Sequence, residues 1–208
     1  MSTPVVLLIP VKPWVRAKSR LSPQGRTIGG AEPPLLAEAF ARDAIAAALA
    51  CPSLDEIVIV TDQPGFSVAG TQTLPDEGGG DLNVALSCAE ARVRAARPEV
   101  AVAAMCADLP CLVADELTIA VDEAIGGDAE RAFVADAEGT GTTFLLAHPR
   151  VVLAPLFGPG SAQRHARSGA APVAAGVPTL RRDVDTAADL EAARDLGVGP
   201  HTRAALTA

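Results

Sequence analysis

The sequence predicts an α/β fold in which a mostly parallel sheet has helices on both faces. Short apolar runs rich in Val and Ile alternate with longer alanine-rich runs, and this β-α-β-α order is typical of parallel strands joined by crossover helices. The length of 208 residues fits one domain, residues 1–208, and 49% of the residues are hydrophobic, enough for a packed core. In such folds, ligands bind at the carboxyl ends of the strands.

Six short apolar runs are predicted as β-strands. The first, VVLLIPV, is rich in β-branched residues and lacks polar positions, which is typical of a strand buried on both faces. The run TQTLP is the shortest, and the last two runs flank a Gly-Thr turn. The predicted strands are residues 5–11, 56–62, 71–75, 100–108, 131–136 and 142–147.

Four longer runs are predicted as helices. Proline at the start of the first and glycine after the end of the third are usual residues at helix boundaries. The predicted helices are residues 33–52, 82–98, 115–127 and 186–197. Between the last strand and the last helix the chain is predicted to be irregular, apart from a short basic helix in SAQRHARSG.

Charge and cysteine usage exclude several classes of protein. The net charge is -8 and no basic face is visible, so nucleic acid is not an expected partner. The run VVLLIPV is too short to span a bilayer and no signal-peptide pattern surrounds it, so we expect a cytoplasmic protein without a membrane partner. The four cysteines lack the spacing of a zinc or redox motif and fit buried thiols in a reducing compartment.

The loop after the first strand collects positive charge. It contains the only two lysines of the chain, and its cations are Lys12, Arg16, Lys18 and Arg20. Because the composition favours arginine over lysine throughout, as in a GC-rich genome, a retained lysine indicates a need for its compact charge. Such a loop suits a polyphosphate. The alternative is a solvated basic loop with no ligand.

Carboxylates follow two other segments. Asp108 comes directly after a predicted buried strand, and Asp183 and Asp185 flank Val184, so that in an extended segment both side chains project to one side. Carboxylates so close together repel one another unless a cation lies between them, and Mg2+ is usually held by one or two of them with phosphate oxygens. The alternatives are that Asp108 caps the following segment and that Asp185 is the N-cap of the last helix.

Two glycine-containing segments are candidates for anion binding through backbone N–H groups. They are Gly-Thr-Gly-Thr at 139–142 and Phe-Gly-Pro-Gly-Ser at 157–161, where Ser161 at a helix start can offer its hydroxyl and its N–H. The alternative for each is an ordinary turn. His165 has two arginines nearby in the sequence, and we expect it at the surface.

Several common catalytic motifs are absent from the sequence. It contains no G-x-x-x-x-G-K-[ST], no G-x-G-x-x-G after the first strand and no G-x-S-x-G. These absences argue against a P-loop NTPase, a dinucleotide-binding Rossmann site and an α/β-hydrolase.

Six segments, taken in their order along the chain, resemble the guanylyltransferases of coenzyme F-420 biosynthesis. They are VKPWVRAKSRL, GGDLNVAL, CADLP, GTGT, FGPGSAQRHARSGA and RRDVDTAADLEAARDLGVGP. The joint presence of A-K-S-R-L, F-G-P-x-S and D-V-D-T makes the resemblance specific. It implies the Rossmann-like three-layer nucleotidyltransferase fold shared with nucleotide-diphospho-sugar transferases and molybdenum-cofactor guanylyltransferases. The sequence departs from the plainest family form at Pro13-Trp14 and Gly160, which affects only loop shape.

The resemblance also implies roles for individual residues. GTP would lie over the first loop, with Asn83 at its guanosine, and Mg2+ would be the metal. The implied nucleotide-binding residues are Lys12, Lys18, Arg20 and Asn83; the implied metal ligands are Asp108, Asp183 and Asp185; the implied phospho-acid-binding residues are Thr142, Gly158 and Ser161. Lys18, Arg20 and Asp108 would be catalytic.

The implied reaction transfers GMP from GTP to phosphoenolpyruvate, giving enolpyruvyl-diphospho-guanosine and pyrophosphate. The actinobacterial type of the family resembles a phosphoenolpyruvate enzyme, and the GC-rich composition favours that acceptor over 2-phospho-L-lactate or 3-phosphoglycerate. Another nucleotidyltransferase, such as a molybdenum-cofactor guanylyltransferase or a sugar-phosphate cytidylyltransferase, and a non-catalytic nucleotide-binding protein are the alternatives. A homodimer stays open.

Overall fold

A computed structural model describes residues 3–14 and 31–207, and the seven strands in these ranges form one sheet. The strands are β1 (Val5–Pro10), β2 (Glu56–Val60), β3 (Gln72–Leu74), β4 (Ala101–Met105), β5 (Arg131–Ala135), β6 (Thr142–Ala147) and β7 (Ala171–Pro172). Their order across the sheet is β3-β2-β1-β4-β6-β5-β7. All six predicted strands are confirmed, and β7, at two residues, is too short to leave a pattern in the sequence.

The sheet is mostly parallel, as predicted. β1 pairs in parallel with β2 and β4, β2 with β3, and β5 with β7. Only β6 runs the other way, antiparallel to both β4 and β5. It does so because the short turn after β5 reverses the chain, whereas parallel strands need a longer crossover.

Seven helices are found in the described ranges. They are α1 (Pro33–Leu49), α2 (Leu82–Ala96), α3 (Ala114–Gly126), α4 (Ser161–Arg167), α5 (Pro178–Arg181), α6 (Ala187–Leu196) and α7 (Pro200–Ala205). The four long predicted helices and the short basic helix are confirmed to within a few residues. The helices α5 and α7 were not predicted, since each spans too few residues for a periodic pattern to be read.

The two faces of the sheet have separate cores. Alternate side chains of β1 point to opposite faces, so Leu7 and Ile9 pack under α1 and α3, while Val6 and Leu8 pack against α2 and α4. A third, smaller cluster joins α1 to α6, and it contains Phe40 and Leu190. Because helices cover both faces of the sheet, the loops lie at the ends of the strands.

No helix among the described residues has both the length and the apolar character needed to cross a bilayer. The four cysteines are free thiols, and two of them, Cys51 and Cys111, are buried.

The C-terminal helix α7 is anchored by a carboxylate of α1. Asp43 is buried, and its two oxygens accept the backbone N–H groups of His201 and Thr202, at 3.0 and 2.8 Å. The N-cap residue of α7 is Gly199, whose own side chain offers no acceptor, so Asp43 replaces the missing cap. A Cβ at Gly199 would lie 2.4 Å from the Asp43 carboxyl carbon, so the close approach requires glycine.

Replacing Asp43 by alanine is therefore expected to lower the free energy of unfolding by about 2 kcal/mol, because two N–H groups at the start of α7, one of them buried, lose their acceptors. Asp43→Asn keeps one acceptor oxygen and should lose less. Urea denaturation measures both variants, with Asp195→Ala on the exposed side of α6 as control. Equal stability of Asp43→Ala and the control would contradict this role for Asp43.

Candidate active site

A cavity of about 210 Å³ opens at the carboxyl ends of β1 and β4. These two strands are neighbours, but the chain leaves β1 toward β2 on one side and returns to β4 on the other, which makes this the topological switch point of the sheet. Ligands of open α/β sheets bind at such a point. The wall of the cavity includes Val11, Lys12, Trp14, Asp108 and Asp185.

Trp14 forms a fixed part of this wall. Its backbone N–H donates to the Gln63 side-chain oxygen at 2.8 Å, and its ring packs edge-to-face on Phe66 with centroids 5.1 Å apart. The Arg42 guanidinium lies 5.0 Å from the centroid of the Phe66 ring. The departure from the plainest family form at this position thus supplies an aromatic wall next to the predicted phosphate loop.

Of the cations predicted to bind the nucleotide, Lys12 is exposed and lines the cavity. Arg16, Lys18 and Arg20 lie outside the described residues, so their roles stay predictions. Lys12 gives a positive charge to the cavity that Asp108 and Asp185 also line.

The carboxylates predicted as metal ligands are brought together by backbone contacts. The Val184 N–H donates to the Asp108 carbonyl oxygen at 3.0 Å, and the Val184 side chain is fully buried. This bond ties the Asp183–Asp185 segment to the end of β4. Arg181 ties it to the end of β5, because its guanidinium donates to the carbonyl oxygens of Ala135 and Asp136.

Asp183 is the most perturbed group of this cluster. Burial first, and then the negative charges of Asp108, Asp185 and Asp136 in that order, raise the pKa of its carboxyl to about 7. Since these effects need proximity, Asp108, Asp185 and Asp136 lie close to the partly buried carboxylate of Asp183. That arrangement is unfavourable without a positive charge and well suited to holding one.

The alternative role considered for Asp185 is wrong, and Asp108 is not the N-cap of the next helix. Thr186 is the N-cap of α6. Its hydroxyl accepts the Asp189 N–H, and the Asp189 carboxylate accepts the Thr186 N–H, which completes a capping box. The N-cap of α3 is Val113, so Asp108 does not cap that helix. Asp108 and Asp185 line the cavity instead.

Two further acidic residues at this edge were missed. One carboxylate oxygen each from Asp136, Glu138 and Asp183 lie within 4.8 Å of one another. Asp136 directly follows β5, and Asp108 comes shortly after β4. Because β5 and β4 run in the same direction, both end at the same edge. An acidic residue directly after a strand could have been recognised in the sequence, whereas nothing in the sequence singles out Glu138.

The Gly-Thr-Gly-Thr turn, a candidate anion-binding loop, binds the carboxylate of Asp136. The two carboxylate oxygens of Asp136 accept the N–H groups of Thr140 and Gly141, at 2.8 and 2.7 Å. A Cβ at Gly141 would lie 2.3 Å from an Asp136 oxygen, which explains that glycine. These two N–H groups are therefore not free for a ligand.

The three residues predicted to bind the phospho-acid lie on two adjoining segments. Thr142 begins β6, and because β6 is antiparallel to β4 this start lies beside the carboxyl end of β4. Gly158 has a φ of 113°, and Gly160 caps α4 with a φ of 72°. The Ser161 N–H is used within this loop, on the Gly158 carbonyl, and its buried hydroxyl has no partner among the described residues.

The expectation that His165 lies at the surface is wrong. The residue is fully buried on α4, between the rings of Phe133 and Phe157. Burial first, and then the positive charges of Arg131 and Arg164, lower the pKa of its imidazole to about 4. The neighbouring arginines suggested a surface position for the whole segment. In the structure Arg167 is exposed and Arg164 donates to a backbone carbonyl, while His165 faces the sheet.

Asn83 holds the loop around Phe157. Its side-chain oxygen accepts the Phe157 N–H at 2.7 Å, and its amide nitrogen donates to the Phe157 carbonyl at 3.2 Å. Asn83 itself lies at the start of α2, where Asp81 is the N-cap. The predicted contact of Asn83 with guanosine stays a prediction, and its amide already links α2 to the segment that contains Gly158 and Ser161.

Residues 5–169 match a family described as "Guanylyl transferase CofC like". A curated relative, the phosphoenolpyruvate guanylyltransferase of Streptomyces scabiei, is 49% identical over 208 residues, which covers 96% of this chain and 94% of the relative.

Solved structures of lower identity share the fold. The 4-diphosphocytidyl-2C-methyl-D-erythritol synthase superposes with a TM-score of 0.59 at 16% identity, covering 94% of this chain and 99% of that one. Rv0371c of Mycobacterium tuberculosis in complex with manganese gives a TM-score of 0.54 at 22% identity, covering 94% and 100%. The predicted nucleotidyltransferase fold is thereby confirmed.

Proposed function

Because this chain belongs to the CofC-like guanylyl transferase family, we propose that it transfers GMP from GTP to phosphoenolpyruvate, a step in coenzyme F-420 biosynthesis. The products are enolpyruvyl-diphospho-guanosine and pyrophosphate. The observation that supports this best is that Asp108 and Asp185 line the switch-point cavity beside Lys12, with Asp183 close enough for their charges to raise its pKa. Such a site brings a divalent cation and a polyphosphate together.

The carboxylates fit a divalent cation by their chemistry. They are hard oxygen donors, and the raised pKa of Asp183 reflects its burial and, second, repulsion from neighbouring carboxylates that a cation would relieve. In this proposal Asp108, Asp183 and Asp185 hold Mg2+. When bound, Mg2+ neutralises charge on the phosphate oxygens and on the departing pyrophosphate.

The task of the protein's own residues is to bring two polyanions into line. A phosphate oxygen of phosphoenolpyruvate forms a bond to the α-phosphorus of GTP, and the bond from that phosphorus to the bridging oxygen of pyrophosphate breaks. The nucleophile is already anionic, so no general base is needed. Lys12, Lys18 and Arg20 screen the triphosphate and stabilise the leaving group, which favours the transition state over the bound substrates.

The acceptor binds, in this proposal, against Thr142, Gly158 and Ser161. The Gly158 N–H and the Ser161 hydroxyl have no hydrogen-bond partner among the described residues, and both can donate to anionic oxygens. Asn83 couples this loop to α2, whose start is the predicted guanosine contact.

We also propose a cytoplasmic location, supported by the four free cysteines. A homodimer stays a prediction.

The reaction is tested by pyrophosphate release from GTP and Mg2+ with phosphoenolpyruvate, 2-phospho-L-lactate or 3-phosphoglycerate. The next enzyme of the pathway is included to trap an unstable product. Release with phosphoenolpyruvate alone supports the whole proposal. Release only with another of the acids keeps the chemistry and overturns the acceptor. GTP binding without release with any acid overturns the reaction, and favours a sister nucleotidyltransferase or a non-catalytic nucleotide-binding protein.

A further inference from the structure

Both ring nitrogens of the buried His165 have protein partners, and these fix the position of its proton. Nε2 lies 2.9 Å from the Leu156 backbone nitrogen, which can only donate, so Nε2 must be the acceptor. A neutral imidazole then has its hydrogen on Nδ1. Nδ1 lies 2.9 Å from Thr142 Oγ1, so this N–H donates to the threonine hydroxyl.

The surroundings keep the ring neutral. His165 is fully buried, and the charged groups that face it, Arg131 and Arg164, are both cations. The aromatic rings of Phe133 and Phe157 enclose the rest of the imidazole. A second proton on the ring would have no acceptor at Nε2 and would lie between positive charges.

The consequence appears at Thr142. Because its oxygen accepts from His165, its own O–H must point to a different acceptor, and no residue that the structure describes supplies one. The Ser161 hydroxyl, one helical turn before His165 on α4, is likewise buried and without a partner among those residues. Two buried O–H groups, one beside the end of β4 and one at the start of α4, thus remain for a ligand with acceptor oxygens.

We propose that His165 is a positioning residue for the acceptor acid: it turns the Thr142 hydroxyl hydrogen toward the anionic oxygens of that acid and holds the Leu156 end of the glycine loop. The identity of the acid rests on the proposed function. His165 does not contact the substrate; it acts through Thr142 and through the backbone that leads to Gly158.

Two substitutions separate the two contacts of the ring. An asparagine amide reaches the position of Nδ1 and can still donate to Thr142, whereas a glutamine amide reaches that of Nε2 and can only hold Leu156. We expect His165→Gln to raise the KM for phosphoenolpyruvate about tenfold or more, since a hydrogen bond to a charged group is lost. His165→Asn should raise it clearly less. The KM for GTP should stay unchanged in both.

The comparison includes the melting temperature, because both variants leave a cavity in the core. A merely structural role would make the effects on KM follow the loss of stability and would raise the KM for GTP as well. Either result would overturn the proposal, as would an equal rise in the acceptor KM for both variants.

Variants of Thr142 provide a second, independent test if the histidine variants fold poorly. Thr142→Val should raise the acceptor KM, and Thr142→Ser should restore most of the wild-type value. In the Thr142→Val background, His165→Gln should add less than about a twofold further effect, since contacts in one network are not additive. Full additivity would contradict action through Thr142.

The proton position is measured without any substrate. A long-range 1H–15N spectrum of histidine-labelled protein should show His165 as the neutral Nδ1–H form from pH 6 to 8. An Nε2–H signal, or a ring that titrates in that range, would overturn the proposal. If the wild-type protein released no pyrophosphate with any phospho-acid, the proposed function would fail, while this spectrum would still decide the orientation of Thr142.

Discussion

Replacing Asp183 by asparagine is expected to stabilise the metal-free protein above pH 7 while lowering turnover about a hundredfold or more. The two effects have one cause. Asp183 is a partly buried carboxylate near Asp108, Asp185 and Asp136, so its negative charge is unfavourable until a cation is bound. Asparagine removes the charge with little change in shape, and it also removes a proposed metal ligand.

The sign of the pH dependence follows from the direction of the pKa shift. Folding raises the pKa of Asp183 from 3.8 to about 7, so between these values the folded state binds the proton more tightly than the unfolded state. The contribution of the group to stability is therefore fully present at low pH and is lost as pH rises through 7. Asparagine does not titrate and avoids this loss.

Melting temperatures in EDTA at pH 8 and pH 5 measure the effect. At pH 8 the variant should be more stable by about 2 kcal/mol, or about 5 °C for a chain of this size, and the difference should shrink at pH 5. Mg2+ should then stabilise the wild-type protein and not the variant, by mass action. Asp128→Asn, exposed after α3, is the matched control and should change none of these values. A variant less stable than wild type at pH 8, yet fully active, would contradict the role of Asp183.

Lys18→Ala is expected to reduce turnover by about two to three orders of magnitude, because it removes a cation proposed to stabilise the departing pyrophosphate. Lys18 is one of only two lysines, and it lies outside the described residues, so the test rests on the sequence. Single-turnover pyrophosphate release at saturating GTP separates loss of chemistry from loss of nucleotide binding.

Two further variants sharpen the comparison. Lys18→Arg keeps the charge but replaces a compact ammonium by a planar fork, and we expect it to recover only part of the activity. Arg150→Ala, which removes an exposed cation paired with Glu99, is the control for a general change in charge and should be fully active. Near-wild-type turnover of Lys18→Ala with an unchanged melting temperature would exclude the proposed role.

Much of the fold could be read from local patterns. Strands such as β1 and β4 are uniformly apolar because both faces of a parallel sheet are covered, and helices such as α1 are bounded by proline and rich in helix formers. The elements that were missed, β7, α5 and α7, are too short to show a period. Their place is set by contacts distant in sequence, such as that of Asp43 with the start of α7.

In the candidate site too, some residues could be predicted from the sequence and others could not. Residue types and spacing singled out Asp108, Asp183 and Asp185, since a carboxylate after a buried strand and a D-V-D pair are visible in one dimension. The convergence of Asp136 on Asp183 needed the sheet order, in which β5 ends at the same edge as β4 although β6 lies between them.

By itself, the sequence determined the chemistry available: a basic loop, acidic loops and small-residue turns at the ends of strands. Tertiary structure decided which groups are already used within the protein. The N–H groups of the Gly-Thr-Gly-Thr turn bind Asp136, and the imidazole of His165 is buried with its hydrogen directed at Thr142. The physical reason is that a hydrogen bond or a burial cost depends on what lies within a few ångströms in space, and sequence distance does not report that distance.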